Sequence, residues 1–496
     1  MGQKGRCNMK WLNCYRIRLM LVGFIGAFLL VGITYSKGDT ITVGSATGYD
    51  FDTIQTGIDA AVDGNTVLVA PGEYFITEPI TFRGKAITVK SETGRDETTI
   101  RMGTPTDNNR GSVIIFENDE TAESVLDGFT ITGGSGSLVL PNNDFCGGGI
   151  FFNASSGTVK NCIIAQNSVK DTCGGVFCAY VCSPILIDCI IEENSAGNSG
   201  AGVFPWSGAS LNLTNCIIRG NTARGVISGT GAGGGACCYL NSSMTMTGCA
   251  IINNTARVGG GIFCGDNSSV VITHSIIIRN TAPVGSGGIE TFLHSSATVV
   301  NCVFALNAAA GGGGGINCSL NGGSATVTNS IFWENTASHG REILVRRGGS
   351  LDITYSSVAG GQNEVSVEGG GTLNWGVGNI EADPMFADPN NGDFHLKSQA
   401  GRWDPNSQTR GIDNVTSPCI DTGDPMSPIG LEPFPSGGFV NMGAYGGTLE
   451  ASKSYFGEPV CGTIVAGDIN GDCQVNRTDL EIMALHWTDD VPLPLP

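Results

Sequence analysis

Near the C-terminus, the twelve residues Asp468 to Asp479 put oxygen-bearing side chains at positions 1, 3, 5, 9 and 12: Asp468, Asn470, Asp472, Asn476 and Asp479. The carbonyl of Gln474 falls at position 7. A hard cation such as Ca²⁺ takes six to eight oxygens, and a loop with this spacing wraps them round one centre. Calcium is therefore the expected ligand. Two positions depart from the usual calcium loop: the sixth is Cys473 where a glycine normally makes the sharp turn, and the twelfth is Asp479 in place of a longer glutamate. Cys461 and Cys473 flank the loop entrance, and no other pattern in the chain explains them, so they are the expected disulfide.

A second set of candidates is a row of side chains that each follow an apolar residue closing a glycine cluster: Phe151, Phe177, Phe204, Cys237, Phe263, Glu290 and Asn317. Strand alternation turns this row outward, where its phenylalanines would form platforms about 4.8 Å apart. Sugar rings stack on such faces, so Phe151, Phe177, Phe204 and Phe263 are the expected ligand contacts. A loop covering the row would make it structural instead.

Catalytic residues are not assignable from the sequence. Between Gly147 and Ile331 the acidic residues are Asp171, Asp188, Glu192, Glu193, Asp266 and Glu290, scattered along the repeat, whereas glycoside hydrolysis needs carboxylates gathered in one cleft. The densest polar group is His339, Arg341, Glu342, Arg346 and Arg347, which reads as a charged edge where the regular pattern ends. Glu192 and Glu193 beside Arg219 are a weaker candidate. Whether the chain is an enzyme is left open; if it is, a polysaccharide lyase or glycoside hydrolase is expected.

The element that must position these groups is a repeat. Its anchors are Cys162, Cys189, Cys216, Cys249, Ser275, Cys302, Ser330 and Ser356, spaced 26 to 28 residues apart with one gap of 33. Five residues after the first seven anchors stands an asparagine, from Asn167 through Asn194, Asn221, Asn254, Asn280 and Asn307 to Asn335. Glycine clusters follow, as at Gly147 to Ile150 and Gly259 to Ile262, and then a short alternating run such as Leu211 to Leu213. An apolar spacing of two within so long a period predicts one coil of three short strands per unit, and coils must stack to bury their inner faces. The expected fold is all-β, a parallel β-helix.

In such a stack the asparagines form a ladder at a corner, where Asn tolerates a left-handed backbone. Two columns of cysteine, one containing Cys162, Cys189, Cys216, Cys249 and Cys302 and the other Cys178, Cys238, Cys264 and Cys318, read as small buried core residues. Cys173, Cys178 and Cys182 are crowded enough for one bridge among them.

Tyr49 to Gly64 carries Phe51, Ile54, Ile58, Ala61 and Val62 at helical spacing, which predicts a helix capping the first coil. With the strand and turn at Thr66 to Gly72 that follow, residues 40 to 360 resemble the pectin lyase-like superfamily of right-handed parallel β-helices. In that superfamily, lyases resembling pectate lyase hold Ca²⁺ on carboxylates beside an Arg or Lys. The Asn-Thr-Asp, Gly-His-Gly, Arg-Ile-Lys and Asp-Pro-His-Glu motifs of its other enzymes are absent from this chain. The pairing of glycine clusters with Ile164-Ala-Gln-Asn167 and Phe332-Trp-Glu-Asn335 resembles polymorphic outer membrane protein repeats, which form surface passengers and adhesins. The Asp468 loop followed by an apolar-faced helix over Leu480 to Trp487 resembles a single dockerin type I repeat, which implies a cohesin-like module as partner.

Net charge is −19, and the first 36 residues carry five basic and no acidic side chains, so the rest of the chain, without those five positive charges, stands at −24. An acidic surface of this kind disfavours nucleic acid and anionic membranes. The basic segment ahead of the apolar run Leu19 to Tyr35 predicts a secretory signal, with an uncleaved anchor as the alternative. The expected organisation is a signal over 1–36, an N-terminal cap and first coils over 37–135, the repeat over 136–361, a loop-rich cap over 362–457 and the calcium motif with its tail over 458–496. The expected function is that of an exported protein binding or processing extracellular polysaccharide; the alternative is a non-enzymatic surface or adhesin protein.

Overall fold

The computed structural model describes residues 38–225, 231–457, 467, 469 and 474–486. The N-terminal signal-like segment lies outside the described residues, as do Asp468, Asn470, Asp472, Cys461 and Cys473 of the calcium loop.

One coil shows how the sequence makes the fold. Ile150–Asn153 runs extended, turns, and continues as Thr158–Lys160, Ile163–Ala165 and the two-residue strand Ser168–Val169. Alternation sends Ile150, Phe152, Val159 and Ile164 inward, where each is fully buried. The next coil repeats this in register, pairing Ile150 with Val176, Val159 with Leu186 and Ile164 with Ile191 in parallel. Continued along the chain, the stack builds sheets of 11, 13 and 11 parallel strands, the all-β parallel β-helix that the period implies. The short strand after each ladder asparagine adds a fourth, seven-stranded ladder. Its small residues, among them Ala196, Ala223 and Ala256, pack on one another outside the main core.

The ladder corners differ from expectation in one respect. The left-handed residue is the one before each ladder asparagine, as at Gln166 (φ 55°), Glu193 (53°) and Arg279 (54°). A second left-handed corner precedes each anchor, at Asn161, Asn215 and Asn329 among others. The ladder asparagines themselves are turned into the core: Asn194 donates through Nδ2 to Asn221 Oδ1 (3.1 Å) and to the carbonyl of Ile164 (2.9 Å), while its backbone N–H donates to the same Oδ1 (3.0 Å). The same bonds recur from Asn167 to Asn335, so a continuous polar line runs through an apolar interior with its donors matched.

All fourteen described cysteines are free and buried, including the crowded Cys173, Cys178 and Cys182. Burial pushes the thiols of Cys162 and Cys302 up to about 12. Aromatic stacks complete the core, Phe82 on Phe116 on Phe152 at 4.7 and 4.6 Å and Phe304 on Phe332 at 4.7 Å.

At the N-terminal end the helix spans Ile54–Ala60, shorter than the apolar pattern, because Ala61 already has extended backbone (ψ 153°). Thr53 caps it by accepting from Thr56 N–H, and Ile54 and Ile58 bury themselves on the first coils. Of the segment 362–457 expected as a cap, Val365–Glu368 and Thr372–Trp375 form the last coil, and the rest runs beside the stack. The hairpin Phe386–Asp388 with Asp393–Leu396 and the turns beyond it lie along the flank, where Phe394, Cys419 and Met442 pack on Ile278, Val303 and Ile331. Leu373 and Trp375 of the last coil pack, partly buried, against the core. Near the C-terminus, Arg477–His486 forms a helix on which Leu480 and Met483 are exposed.

Candidate functional site

The outward row is in register from coil to coil: Phe151 pairs with Phe177, Phe177 with Phe204, Cys237 with Phe263, Phe263 with Glu290 and Glu290 with Asn317. These residues face away from the β-helix interior, yet Phe151, Phe177, Phe204 and Phe263 are only 5, 2, 6 and 8% exposed. They are not the open platforms that alternation alone suggests. The hairpin Gly136–Val139 with Asp144–Cys146 folds over the first of them, and Val258 and Ala232 pack against the later ones. Their rings are tilted into one another, Phe151 to Phe177 at 5.6 Å and Phe177 to Phe204 edge-on at 5.7 Å. Phe177, Phe204 and Phe263 thus form the floor of an elongated groove of about 530 Å³, while Phe151 lies under its covered end.

A second aromatic row stands above that floor, two residues further along each strand and therefore on the same face. Trp206 pairs with Tyr239, Tyr239 with Gly265 and Gly265 with Phe292. Trp206, Tyr239 and Phe292 are half-buried and line the groove with one side open. Gly265 is required between them, because the Phe263 ring already fills the space beside it: a Cβ there would come within 2.6 Å of that ring and 3.1 Å of Tyr239. The alternation that singled out Phe204 and Phe263 applies equally to this row, and following it two residues on would have found it.

The far end of the groove changes character. Glu290 takes the next place in the floor, and its carboxylate is fully engaged: Ser286 N–H donates to Oε2 at 2.9 Å, Asn317 Nδ2 to both oxygens at 2.9 Å and Ser319 Oγ to Oε1 at 2.6 Å. Burial raises its pKa, opposed by the Ser319, Ser286 and Asn317 hydrogen bonds and by the charge of Arg346. Arg346 and the exposed Arg347 form the rim here, and Arg346 Nε is buried with no hydrogen-bond partner. At the opposite end Asp144 lines the groove, its pKa raised by burial and by the nearby Asp171.

The charged group near His339 is therefore divided among three tasks. His339 and Arg341 pair with Glu368 and Glu364 on the edge. Glu342 ends the asparagine ladder, and Arg346 and Arg347 belong to the groove. Glu192 and Arg219 form an ion pair at 2.6 Å on a different sheet, away from the groove.

In the calcium motif the described residues show Asp479 accepting from Ile469 N–H and Asn476 N–H at 2.7 Å each, with its side chain buried. Among the described residues no cluster of three His, Cys, Asp or Glu has metal-binding geometry, and no helix is long and apolar enough to cross a membrane.

A family model described as right handed beta helix region matches residues 106–233 and 198–332, and one described as disaggregatase related matches residues 355–423. Among solved structures the chain is similar to the crystal structure of pectate lyase Pel9A, at 14% identity and a TM-score of 0.48 over 82% of this chain and 96% of that one. It is also similar to a pectin methylesterase from Aspergillus niger (16% identity, TM-score 0.35, covering 52% and 83%) and to an alginate lyase from Paenibacillus sp. str. FPU-7 (13%, 0.35, 69% and 99%). No protein of curated function matches the sequence.

Proposed function

We propose that this chain is an exported protein that binds extracellular polysaccharide along the groove between Trp206 and Arg346, and that its terminal loop holds calcium. The observation that carries the reading is the double aromatic row in one elongated groove: a repeating ligand meets a repeating surface, with a new ring or rim position about every 4.8 Å. Trp206 and Tyr239 give the ring faces that sugars stack on, and Phe177, Phe204 and Phe263 hold them in place from below.

Binding is favoured over processing by the carboxylates. Asp144 and Glu290 stand at opposite ends of the groove, too many coils apart to act as an acid and base pair. Glu290, with both oxygens already accepting hydrogen bonds, has no free lone pair poised to take a proton from a substrate. The calcium loop, with the helix Arg477–His486 presenting Leu480 and Met483 outward, suits attachment to a cohesin-like module that organises the protein outside the cell.

Incubating the purified protein with a polysaccharide panel, with and without Ca²⁺, tests the reading when retention, reducing ends and unsaturated ends are recorded together. Retention without new ends is expected, and Trp206→Ala should weaken it roughly tenfold, in the range of one lost stacking contact. New ends generated by the wild type would replace binding with catalysis. Unchanged retention by Trp206→Ala would move the site elsewhere.

A further inference from the structure

The outer row of the groove does not end at its last aromatic. Continuing the register past Phe292, the next two coils put Ser319 and then Arg346 in the same column, about 10 Å further along. A chain lying across Trp206, Tyr239 and Phe292 therefore runs onto a guanidinium. Arg347 is beside it on the exposed rim. No ion pair among the described residues uses either arginine, whereas Arg110 pairs with Glu117 and Arg402 with Asp393. Arg346 Nε is buried and without an acceptor, a donor left waiting in a partly desolvated place. Two carboxylates lie close by, and neither is bonded to these arginines: Glu290, in the floor, already receives four hydrogen bonds, and Glu368, opposite Arg346 on the following strand, is paired with His339 at 3.2 Å.

From this we infer that the Arg346 and Arg347 end of the groove is a subsite for an anionic substituent, so that the ligand is an acidic glycan held in one direction. The inference rests on the glycan-binding reading above and adds which glycans and which way round. A planar carboxylate or a sulfate ester supplies acceptor oxygens that match a guanidinium fork. The neutral aromatic stretch from Trp206 to Phe292 then takes the faces of the sugar rings that precede the charged group. An anion at the other end would meet Asp144 and Asp171, which fixes the polarity of the bound chain.

The test is calorimetric titration of the full chain with three oligosaccharides of equal length: neutral, uronate and sulfated. The uronate or the sulfated oligomer is expected to bind at least about tenfold more tightly than the neutral one, equivalent to about 1.4 kcal/mol. That preference should fall with added salt and vanish in an Arg346→Gln, Arg347→Gln double variant, to which the anionic and neutral oligomers should bind alike. Which of the two anionic arms wins tells carboxylate from sulfate. Should the double variant fail to fold, Arg347→Gln alone, at an exposed position, is expected to lose part of the preference. Equal binding of all three oligomers, or a preference that survives the double variant, overturns the subsite while leaving the glycan groove standing. Absence of binding by any of them overturns both.

Discussion

Glu342 occupies the column held by Gly149, Gly175, Gly202, Gly235, Gly261, Gly288 and Gly315 in the coils before it. Those glycines are needed where they stand: a Cβ at Gly235 or Gly261 would come within 2.9 or 3.1 Å of a ladder asparagine's Nδ2. No asparagine follows Asn335, so the space is open and the Glu342 carboxylate fills it, accepting from Asn335 Nδ2 at 2.6 Å while its other oxygen is buried without a partner. Burial raises this carboxyl from 4.5 to about 7, against the pull of the Asn335 hydrogen bond and of Arg341. The folded state thus holds the proton more tightly than the unfolded chain. The resulting stability is complete below about pH 4.5 and is lost as pH rises through about 7, an effect of about 3 kcal/mol. Glu432, raised by burial to about 7 while accepting from Asn441 and Gly447 N–H, acts with the same sign. Denaturant midpoints measured from pH 4.5 to 8 should therefore fall for the wild type. In Glu342→Gln, which keeps an acceptor for Asn335 and cannot ionise, the fall should be about half as steep.

At the scale of elements, the loop and helix at the C-terminus join two demands in one residue. Asp479 holds position 12 of the proposed calcium loop and also lies in the first turn of Arg477–His486, where a negative charge is favourable. Its two oxygens accept from Ile469 and Asn476 N–H, which draws the ends of the loop together. Calcium titration followed by calorimetry on the full chain should give one site per chain, with binding abolished in Asp472→Ala and restored weakly or not at all by magnesium, whose smaller octahedral shell suits the loop poorly. Heat release that is the same with and without the Asp472 side chain would remove calcium from the reading. Each strand of the groove floor is tied on both sides by parallel partners, so the aromatic rows are set by register and not by loop conformation.

For the whole molecule, the stack accounts for residues that would otherwise attract functional explanations. The described cysteines are buried, in the core, in the floor of the groove or, for Cys419, under the flanking segment, and burial raises the thiols of Cys146 and Cys237 so that their thiolates are costly. A thiol reagent should label none of these fourteen in the native protein and all of them in denaturant without reductant, as read by peptide mapping. A described cysteine that resists labelling in denaturant until reduced would mean a bridge absent from this fold. The flanking C-terminal segment has a comparable role for apolar surface: it covers the sheet side at Ile278, Val303 and Ile331, and Arg279 reaches across to the carbonyls of Pro389 and Asn390 at 2.9 and 2.7 Å.

The repeat period, the alternation within it and the in-register asparagines determined the β-helix, because each is a local pattern that only stacking can satisfy. Those same patterns gave the outward direction of the phenylalanine row and the helix at the N-terminal end. Exposure was decided by the tertiary structure. A local pattern says which face a side chain takes but not what folds over that face, so Phe177 and Phe204 became a buried floor while Trp206, Tyr239 and Phe292 became the half-buried lining above it. The meeting of Glu290 with Arg346 was equally invisible in the chain, where they lie 56 residues apart. Two turns of the stack bring them together, and only the stack shows that the first is spent on hydrogen bonds while the Nε of the second has none.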